Sequence, residues 1–201
     1  MTAVAVVDYG MGNRRSVEKA FEHVGAEVRV TSDHDAIRAA DAVVVPGVGA
    51  FPEAMRRLTA DGLDGVIRER AGQGTPVLGI CLGMQLLFEA SAEHEGAAGL
   101  GLLPGEVTPL EAPKLPHIGW NRVALERPSG LTAGLGEAVA FYHVHSFVCR
   151  PREDSDVVGR GEYGERFASI VERDNVAGVQ FHPEKSSRDG LALLANFVAA
   201  A

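Results

Sequence analysis

One stretch of the sequence predicts the architecture around it: Pro76-Val77-Leu78-Gly79-Ile80-Cys81-Leu82-Gly83-Met84-Gln85-Leu86-Leu87-Phe88. The apolar run over 77–80 is rich in branched side chains, which is typical of a buried strand. Apolar side chains then recur at helical spacing as far as Phe88. We therefore predict a strand that ends in a tight turn at Cys81 and continues directly into a helix.

Cys81 has the sequence environment of a nucleophile. Gly79 and Gly83 lie two residues to either side of it, which is the spacing of a nucleophile elbow. Glycines allow a strained turn to pack closely, so that the side chain at its tip projects freely. The N–H groups of the following helix favour a thiolate and can hold a developing oxyanion. The plain alternative is a buried structural cysteine, because free cysteines are often buried.

Strands and helices alternate through the first half of the chain. The strands are apolar on both faces, which indicates a mostly parallel central sheet with helices on both faces. The predicted strands are 2–7, 26–31, 42–45 and 77–80, and the predicted helices are 14–24, 33–39 with Ser32 or Asp33 as N-cap, and about 52–72.

The second half of the chain changes character. From about residue 99, glycine and proline interrupt short segments, and later residues alternate as strands do. We predict a partly antiparallel β extension of the sheet and one α/β domain over residues 1–201. The predicted elements are strands 139–149, 156–163, 167–173 and 176–181, a turn at Asp174-Asn175 and a final helix over 187–199.

Composition excludes several classes of protein. The formal net charge of -8 argues against a nucleic-acid or acidic-membrane partner. The two cysteines do not make a disulfide framework, and the start of the chain does not resemble a secretory signal. No apolar stretch approaches the roughly 18 residues of a membrane-spanning helix. These features predict a cytoplasmic protein.

A second motif, Val179-Gln180-Phe181-His182-Pro183-Glu184, supplies a base and a carboxylate. A residue before proline is held extended, and residues i and i+2 of extended backbone share a face. The carboxylate of Glu184 can then fix one nitrogen of His182 and leave the other free to act as a base. With Cys81, this is the set expected for covalent acyl transfer. The alternative is a solvated turn at a strand end.

A third motif, Pro46-Gly47-Val48-Gly49, ends another strand at the same predicted edge of the sheet. Its two glycines let the chain present N–H groups inward, where they would form an oxyanion site with the N–H of Leu82. An ordinary turn is the alternative.

Two further patterns do not predict ligand sites. Gly10-Met11-Gly12 follows the first strand, but Arg15 occupies the position where a dinucleotide-binding fingerprint needs a small residue. His143 and His145 have His-x-His spacing, yet no other residue spacing completes a metal site. We therefore predict neither a metal nor a cofactor.

The combined motifs resemble a known family. Gly79-Ile80-Cys81-Leu82-Gly83-Met84-Gln85 and Gln180-Phe181-His182-Pro183-Glu184 are similar to the triad-type class I glutamine amidotransferase domain, which has a flavodoxin-like α/β fold. Further segments resemble one branch of that family, the glutaminase subunits of imidazole glycerol phosphate synthases in histidine biosynthesis. These segments are Asp8-Tyr9-Gly10-Met11-Gly12-Asn13, Pro46-Gly47-Val48-Gly49-Ala50-Phe51, Pro116-His117-Ile118-Gly119-Trp120-Asn121 and His182-Pro183-Glu184-Lys185-Ser186.

The resemblance implies a role for each site residue. Cys81 would attack the side-chain amide of glutamine, His182 would move the proton and Glu184 would orient His182. Val48, Gly49 and Leu82 would form the oxyanion hole. The residues that would border the glutamine are Gly47, Gln85, Glu93, His145, Ser146 and Phe147, of which Phe147 stands where the family usually has an aromatic hydroxyl.

The resemblance also implies a partner. The released ammonia would pass to a cyclase subunit, a (β/α)8 barrel that makes imidazole glycerol phosphate and aminoimidazole carboxamide ribotide. Asn13, Trp120, Tyr142 and Lys185 match positions at that contact. Two alternatives stay open: a glutaminase of another synthase, in the pyridoxal phosphate, anthranilate or purine pathway, and a non-catalytic regulatory module.

Overall fold

The computed structural model describes all 201 residues, and its strands join into one large sheet. The helices are α1 (Arg14–His23), α2 (His34–Ala39), α3 (Phe51–Ala60), α4 (Leu63–Gly72), α5 (Leu82–Leu86) and α6 (Ser187–Ala199). The strands are β1 (Ala3–Val7), β2 (Glu27–Thr31), β3 (Ala42–Gly47), β4 (Val77–Cys81), β5 (Phe88–Ser91), β6 (Ala97–Ala98), β7 (Leu103–Pro109), β8 (His117–Leu125), β9 (Ala138–His145), β10 (Phe147–Pro151), β11 (Val157–Tyr163), β12 (Glu165–Arg173) and β13 (Val176–Val179). No helix has both the length and the apolar character needed to span a membrane.

The first part of the sheet is parallel, as the sequence predicts. Its strands lie in the order β2-β1-β3-β4-β13, and each neighbouring pair runs in the same direction. This arrangement corresponds to the flavodoxin-like order of doubly wound sheets, in which ligands bind beyond the carboxyl ends of the strands. The carboxyl ends of β3, β4 and β13 therefore meet at one edge.

Helices cover both faces of this parallel part, because successive strand residues point to opposite sides. Val45 belongs to a buried cluster with Leu58 of α3 and Ile67 of α4. Val44 belongs to a second cluster, with Phe21 of α1 and Phe197 of α6. The two clusters form separate cores, one on each side of the sheet, and this confirms the predicted layers.

The second part of the sheet is partly antiparallel, as predicted. Beyond β13 the order continues through β12, β10, β7, β5 and β6, and β12, β10 and β7 pair in antiparallel fashion. A branch runs from β12 through β11 and β8 to β9. In that branch β8 pairs with β9 over the whole stretch from His117 to Ala124.

Two predicted helices have different bounds in the structure. The helical region 52–72 is two helices, because Gly62 adopts a left-handed conformation with φ of 66° and redirects the chain. The helix after Cys81 is only one short turn, α5, and Phe88 begins a strand. Residues 81–88 are all buried, so their apolar spacing marks no helix face. The carbonyl of Leu87 instead accepts the N–H groups of Leu102 and Leu103.

Two predicted strands also have different bounds in the structure. Strand 139–149 is divided into β9 and β10 at Ser146, since β9 pairs with β8 whereas β10 pairs with β7. Strand 176–181 ends at Val179, where the backbone leaves the ladder before His182. The predicted turn at Asp174-Asn175 is confirmed between β12 and β13, and helix 187–199 is confirmed as α6. Of the two candidate caps for α2, Asp33 is the N-cap.

Candidate active site

Cys81 lies on a strained turn between β4 and α5. Its backbone has φ of 56° and ψ of -112°, an unusual conformation for a residue with a side chain. The flanking glycines permit this turn: a Cβ on Gly83 would lie 1.7 Å from the carbonyl oxygen of Val45, and one on Gly79 would lie 2.6 Å from that of Gly83. The predicted elbow geometry is confirmed.

The three motifs lie together at the carboxyl edge of the parallel strands. Gly47, the last residue of β3, pairs in register with Cys81 at the end of β4. β13 pairs with the other side of β4, and His182 follows three residues after its end. A backbone hydrogen bond of 2.9 Å from the N–H of His182 to the carbonyl of Tyr142 fixes this segment against β9.

His182 and Glu184 form a close pair. Nδ1 of His182 lies 2.9 Å from Oε1 of Glu184, and the two side chains are only 4% and 1% exposed. Their contact was predicted from extended backbone, but Glu184 lies in a 3-10 turn over 183–185. Asn13 also donates to Oε1 at 3.4 Å, while Oε2 is buried without a partner. His182 is therefore the main group that balances the carboxylate charge.

The electrostatic environment of His182 favours the imidazolium. Burial alone would lower its pKa, but hydrogen bonds to Cys81 and Glu184 and the negative charges of both raise the pKa to about 10. His145, the other histidine at the site, behaves in the opposite way: burial lowers its pKa to about 4, so its ring is neutral. His182 is the histidine at this site that is charged at neutral pH.

We expect the stabilising contribution of His182 to decrease as pH rises. Its pKa is about 10 in the folded chain against 6.5 for the reference value, so the contribution is complete below pH 6.5 and is lost as pH rises through 10. The difference in free energy of unfolding between wild type and His182→Asn should fall by on the order of 4 kcal/mol from pH 6.5 to 10 in urea titrations. The exposed His23→Asn is the matched control; a difference that grows with pH for His182→Asn would contradict the assignment.

A cleft of about 310 Å³ opens beside Cys81. It contains the predicted nucleophile, base and oxyanion residues and five of the six residues predicted to border a substrate. Its lining residues are Val48, Gly49, Cys81, Leu82, Gln85, Glu93, Pro116, Val144, His145, Ser146, Phe147 and His182. Gly47 does not line the cleft; a Cβ there would lie 2.8 Å from Cβ of Leu82, so this glycine permits close packing behind the cleft. Glu184 lies behind His182.

Several cleft residues are fixed by the protein itself. Oε2 of Glu93 accepts the backbone N–H of Phe51 at 2.7 Å. Nδ1 of His145 and Nε2 of Gln85 both contact the carbonyl oxygen of Phe147, at 3.0 and 3.2 Å. Nε2 of His145 in turn lies 2.9 Å from Nδ1 of His117, so His145 is held from both sides. These contacts within the protein fix the side chains of the cleft wall.

Two residues that the sequence analysis did not assign contribute to the site. The hydroxyl of Tyr9 donates to the carbonyl of Pro46 at 2.5 Å and holds the loop that carries Val48 and Gly49. Gln180 has its Nε2 atom 3.9 Å from the Cys81 sulfur. Gln180 is fully buried two positions before His182, and the only sequence signal for it was its place in the motif Gln180-Phe181-His182-Pro183-Glu184.

The residues matched to a partner contact lie outside the cleft. Trp120 on β8 is 55% exposed, and it packs edge to face with Tyr142, its register partner on β9. Lys185 is exposed, whereas Asn13 is partly buried and contacts Glu184. Other exposed large apolar side chains are Val48, which lines the cleft, Leu115, which precedes the cleft residue Pro116, and Ile118.

His143 and His145, the pair considered for metal binding, make hydrogen bonds within the protein. Nδ1 of His143 lies 3.0 Å from the carbonyl of Phe141 and its Nε2 lies 2.9 Å from Oγ of Ser169, so both nitrogens have protein partners. The structure contains no group of three or more His, Cys, Asp or Glu side chains arranged to hold a metal ion.

A strained cysteine at a strand end, beside a histidine–carboxylate pair and an open cleft, is the arrangement expected of a thiol-dependent acyl-transfer site. The family model described as glutamine amidotransferase class-I matches residues 5–201, and the chain belongs to this family.

Similar proteins agree with this classification. The chain is 53% identical to "Imidazole glycerol phosphate synthase subunit HisH" of Moorella thermoacetica over 98% of its length and 94% of that protein. It is 51% identical to the protein of the same name from Aquifex aeolicus, over 96% and 94% of the two chains. Among solved structures, that of PurLQS from Thermotoga maritima aligns with a TM-score of 0.79 at 21% identity, covering 100% of this chain and 99% of the other. At this level of identity, the alignment with PurLQS shows similarity of the fold alone.

Proposed function

We propose that this chain is the glutaminase subunit of an imidazole glycerol phosphate synthase and that residues 1–201 act as one glutamine amidotransferase domain. The observation that carries the proposal is the Cys81–His182–Glu184 constellation at the edge of the cleft. The names of relatives about 50% identical over nearly the whole chain favour this synthase over those of other pathways. A complete triad argues against a non-catalytic module.

The reaction starts with nucleophilic attack. His182 already holds the proton of the Cys81–His182 pair as an imidazolium, and the sulfur, as the thiolate, attacks the side-chain carbonyl carbon of glutamine. The resulting oxyanion is stabilised by backbone N–H groups of Val48, Gly49 and Leu82. His182 then gives its proton to the leaving nitrogen, the carbon–nitrogen bond breaks, and ammonia leaves a glutamyl thioester on Cys81.

Hydrolysis completes the cycle. His182 takes a proton from water, the hydroxide attacks the thioester carbonyl, and the sulfur leaves as glutamate is released. Glu184 keeps Nδ1 of His182 occupied throughout, so that the other ring nitrogen faces the reacting atoms. Gln85, Glu93, His145, Ser146 and Phe147 border the substrate, and Gly47 supports this wall from behind.

The proposed partner is a cyclase subunit with a (β/α)8 fold, to which the ammonia passes in a cytoplasmic heterodimer. Ammonia released into bulk water would be protonated, so a partner that covers the cleft is an advantage. The exposed Trp120 and its apolar neighbours supply the kind of aromatic and apolar surface found at the centres of interfaces. Asn13, Tyr142 and Lys185 complete the proposed contact.

The test is glutamate release from glutamine by the purified chain alone, with the cyclase, and with the cyclase plus its nucleotide substrate. We expect little release by the chain alone and a rise of about 100-fold with both, since coupling between a site and its partner is typically worth about 1–3 kcal/mol. The cyclase without its nucleotide is the control. High release by the chain alone, unaffected by the cyclase, would keep the cysteine chemistry and contradict the proposed partner.

A further inference from the structure

Gln180 is a buried polar residue that the mechanism above does not use. It follows β13 directly, its side chain is fully buried, and it does not line the cleft. Its backbone N–H donates to the carbonyl of Ser169 on β12 at 2.9 Å. A buried amide is costly unless its groups are paired, so the partners of this side chain indicate what it does.

The direction of the Gln180 amide is fixed by a chain of contacts. The carbonyl oxygen of Phe147 can only accept, so the Gln85 group 3.2 Å from it must be its NH2. The same Nε2 atom lies 3.1 Å from the Gln180 side chain, which must therefore present its oxygen to Gln85. The NH2 of Gln180 is left to face the sulfur of Cys81, at 3.9 Å.

Besides His182, the sulfur of Cys81 has two neighbours of opposite character. The carbonyl oxygen of Val144, at 3.7 Å, can only accept and favours the thiol, whose S–H can donate to it. The NH2 of Gln180 can only donate and favours the thiolate. In the thiolate, whose proton is held by His182, the contact to Val144 is lost and the contact to Gln180 becomes stronger, because hydrogen bonds to charged groups are stronger.

We propose that Gln180 is a further catalytic residue, whose side-chain N–H stabilises the Cys81 thiolate and is aimed at it by Gln85. Gln85 then has two roles. Both hydrogens of its amide are used inside the protein, and only its oxygen remains for a ligand in the cleft. That oxygen can accept a donor such as the ammonium group of an amino-acid substrate.

This inference rests on the proposed use of Cys81 as the nucleophile, and it is tested without turnover. The probe is iodoacetamide, and the readout is the pH midpoint of the alkylation rate. Cys149 does not interfere, because it is buried and its burial raises the pKa of its thiol well above the usual range. A failed alkylation test would leave glutamine hydrolysis by the wild-type complex unaffected, so the two proposals can fail separately.

The variants are Gln180→Leu, which removes both polar groups, and Gln180→Glu, which keeps the shape and removes the NH2. We expect the alkylation midpoint to rise by about one pH unit in each, which is the effect of losing one hydrogen bond to a charged group. In the complete synthase we expect kcat to fall about tenfold with KM changed less than about threefold, because Gln180 lies outside the cleft.

The matched control is Ser169→Ala, which removes a fully buried polar group whose side chain contacts His143 and not the sulfur. Its alkylation midpoint should equal that of wild type. A midpoint that stays constant or falls in Gln180→Leu, or an equal rise in Ser169→Ala, would overturn the proposal. If Gln180→Leu does not fold in thermal melts, Gln180→Glu decides the question by the same criteria.

Discussion

Gly83→Ala should destabilise the fold by about 4 kcal/mol or more, a large part of the 5–15 kcal/mol typical of a domain. The added Cβ would lie 1.7 Å from the carbonyl oxygen of Val45 and 2.7 Å from its carbonyl carbon. These are backbone atoms of β3 in the centre of the sheet, so no side-chain rotation can relieve the clash. The expected result is a much lower urea midpoint, or no soluble folded protein at all.

The matched control for this effect is Gly65→Ala on α4. A Cβ at that position meets no atom within 4 Å, and alanine is favoured over glycine within a helix by roughly 0.5–1 kcal/mol. We expect Gly65→Ala to melt at or slightly above the wild-type temperature. A Gly83→Ala protein with wild-type stability would show that α5 and β3 are farther apart than the structure has them.

The elbow was predictable because its cause is local. Gly79, Cys81 and Gly83 stand close together in sequence, and both glycines are required by contacts within the same strand–turn–helix unit or with the adjacent strand. The helix after the elbow was not predictable in the same way. Whether Phe88 continues a helix or begins a strand depends on pairing of β5 with β7, and nothing in the local apolar pattern contains that information.

The pairing of His182 with Glu184 was predicted correctly from an incorrect backbone. Pro183 has a fixed φ that suits the first position of a helical turn, and the chain therefore forms a 3-10 turn instead of remaining extended. Ser186 holds this turn: its hydroxyl donates to the carbonyl of His182 at 2.7 Å and accepts the N–H of Tyr142 at 2.9 Å. Residue spacing was enough to predict that His182 pairs with Glu184, whereas tertiary contacts determine the backbone conformation of the turn between them.

The contacts that complete the site join distant parts of the sequence. Gln180 contacts residues 95 and 99 positions away, and Asn13 contacts Glu184 across 171 positions. A pattern read along one chain cannot predict which way a buried amide points, because that depends on acceptors brought in by other strands. The sequence therefore indicated the proposed reacting groups, whereas the structure was needed to find the side chains that contact them.

Cys81→Ala is expected to reduce glutamate release by the complete synthase at least about 10⁴-fold, the scale found when a covalent nucleophile is removed. Without the sulfur no thioester can form, and we expect the proposed oxyanion N–H groups and the cleft contacts to provide only residual catalysis. The fold should persist, because the substitution deletes one atom at a position that is 6% exposed and beside the open cleft. Thermal melting should give a midpoint within a few degrees of wild type.

The matched control is Cys149→Ala, which removes the other cysteine from the middle of β10, at a buried position that does not line the cleft. It should retain activity within a few fold of wild type despite some loss of packing, so a generic effect of cysteine loss is separated from loss of the nucleophile. A glutamine analogue with an electrophilic ketone should label the wild type and Cys149→Ala at one residue and leave Cys81→Ala unlabelled. Glutamate release that survives in Cys81→Ala would mean that water attacks the amide directly, and the thioester route would have to be abandoned.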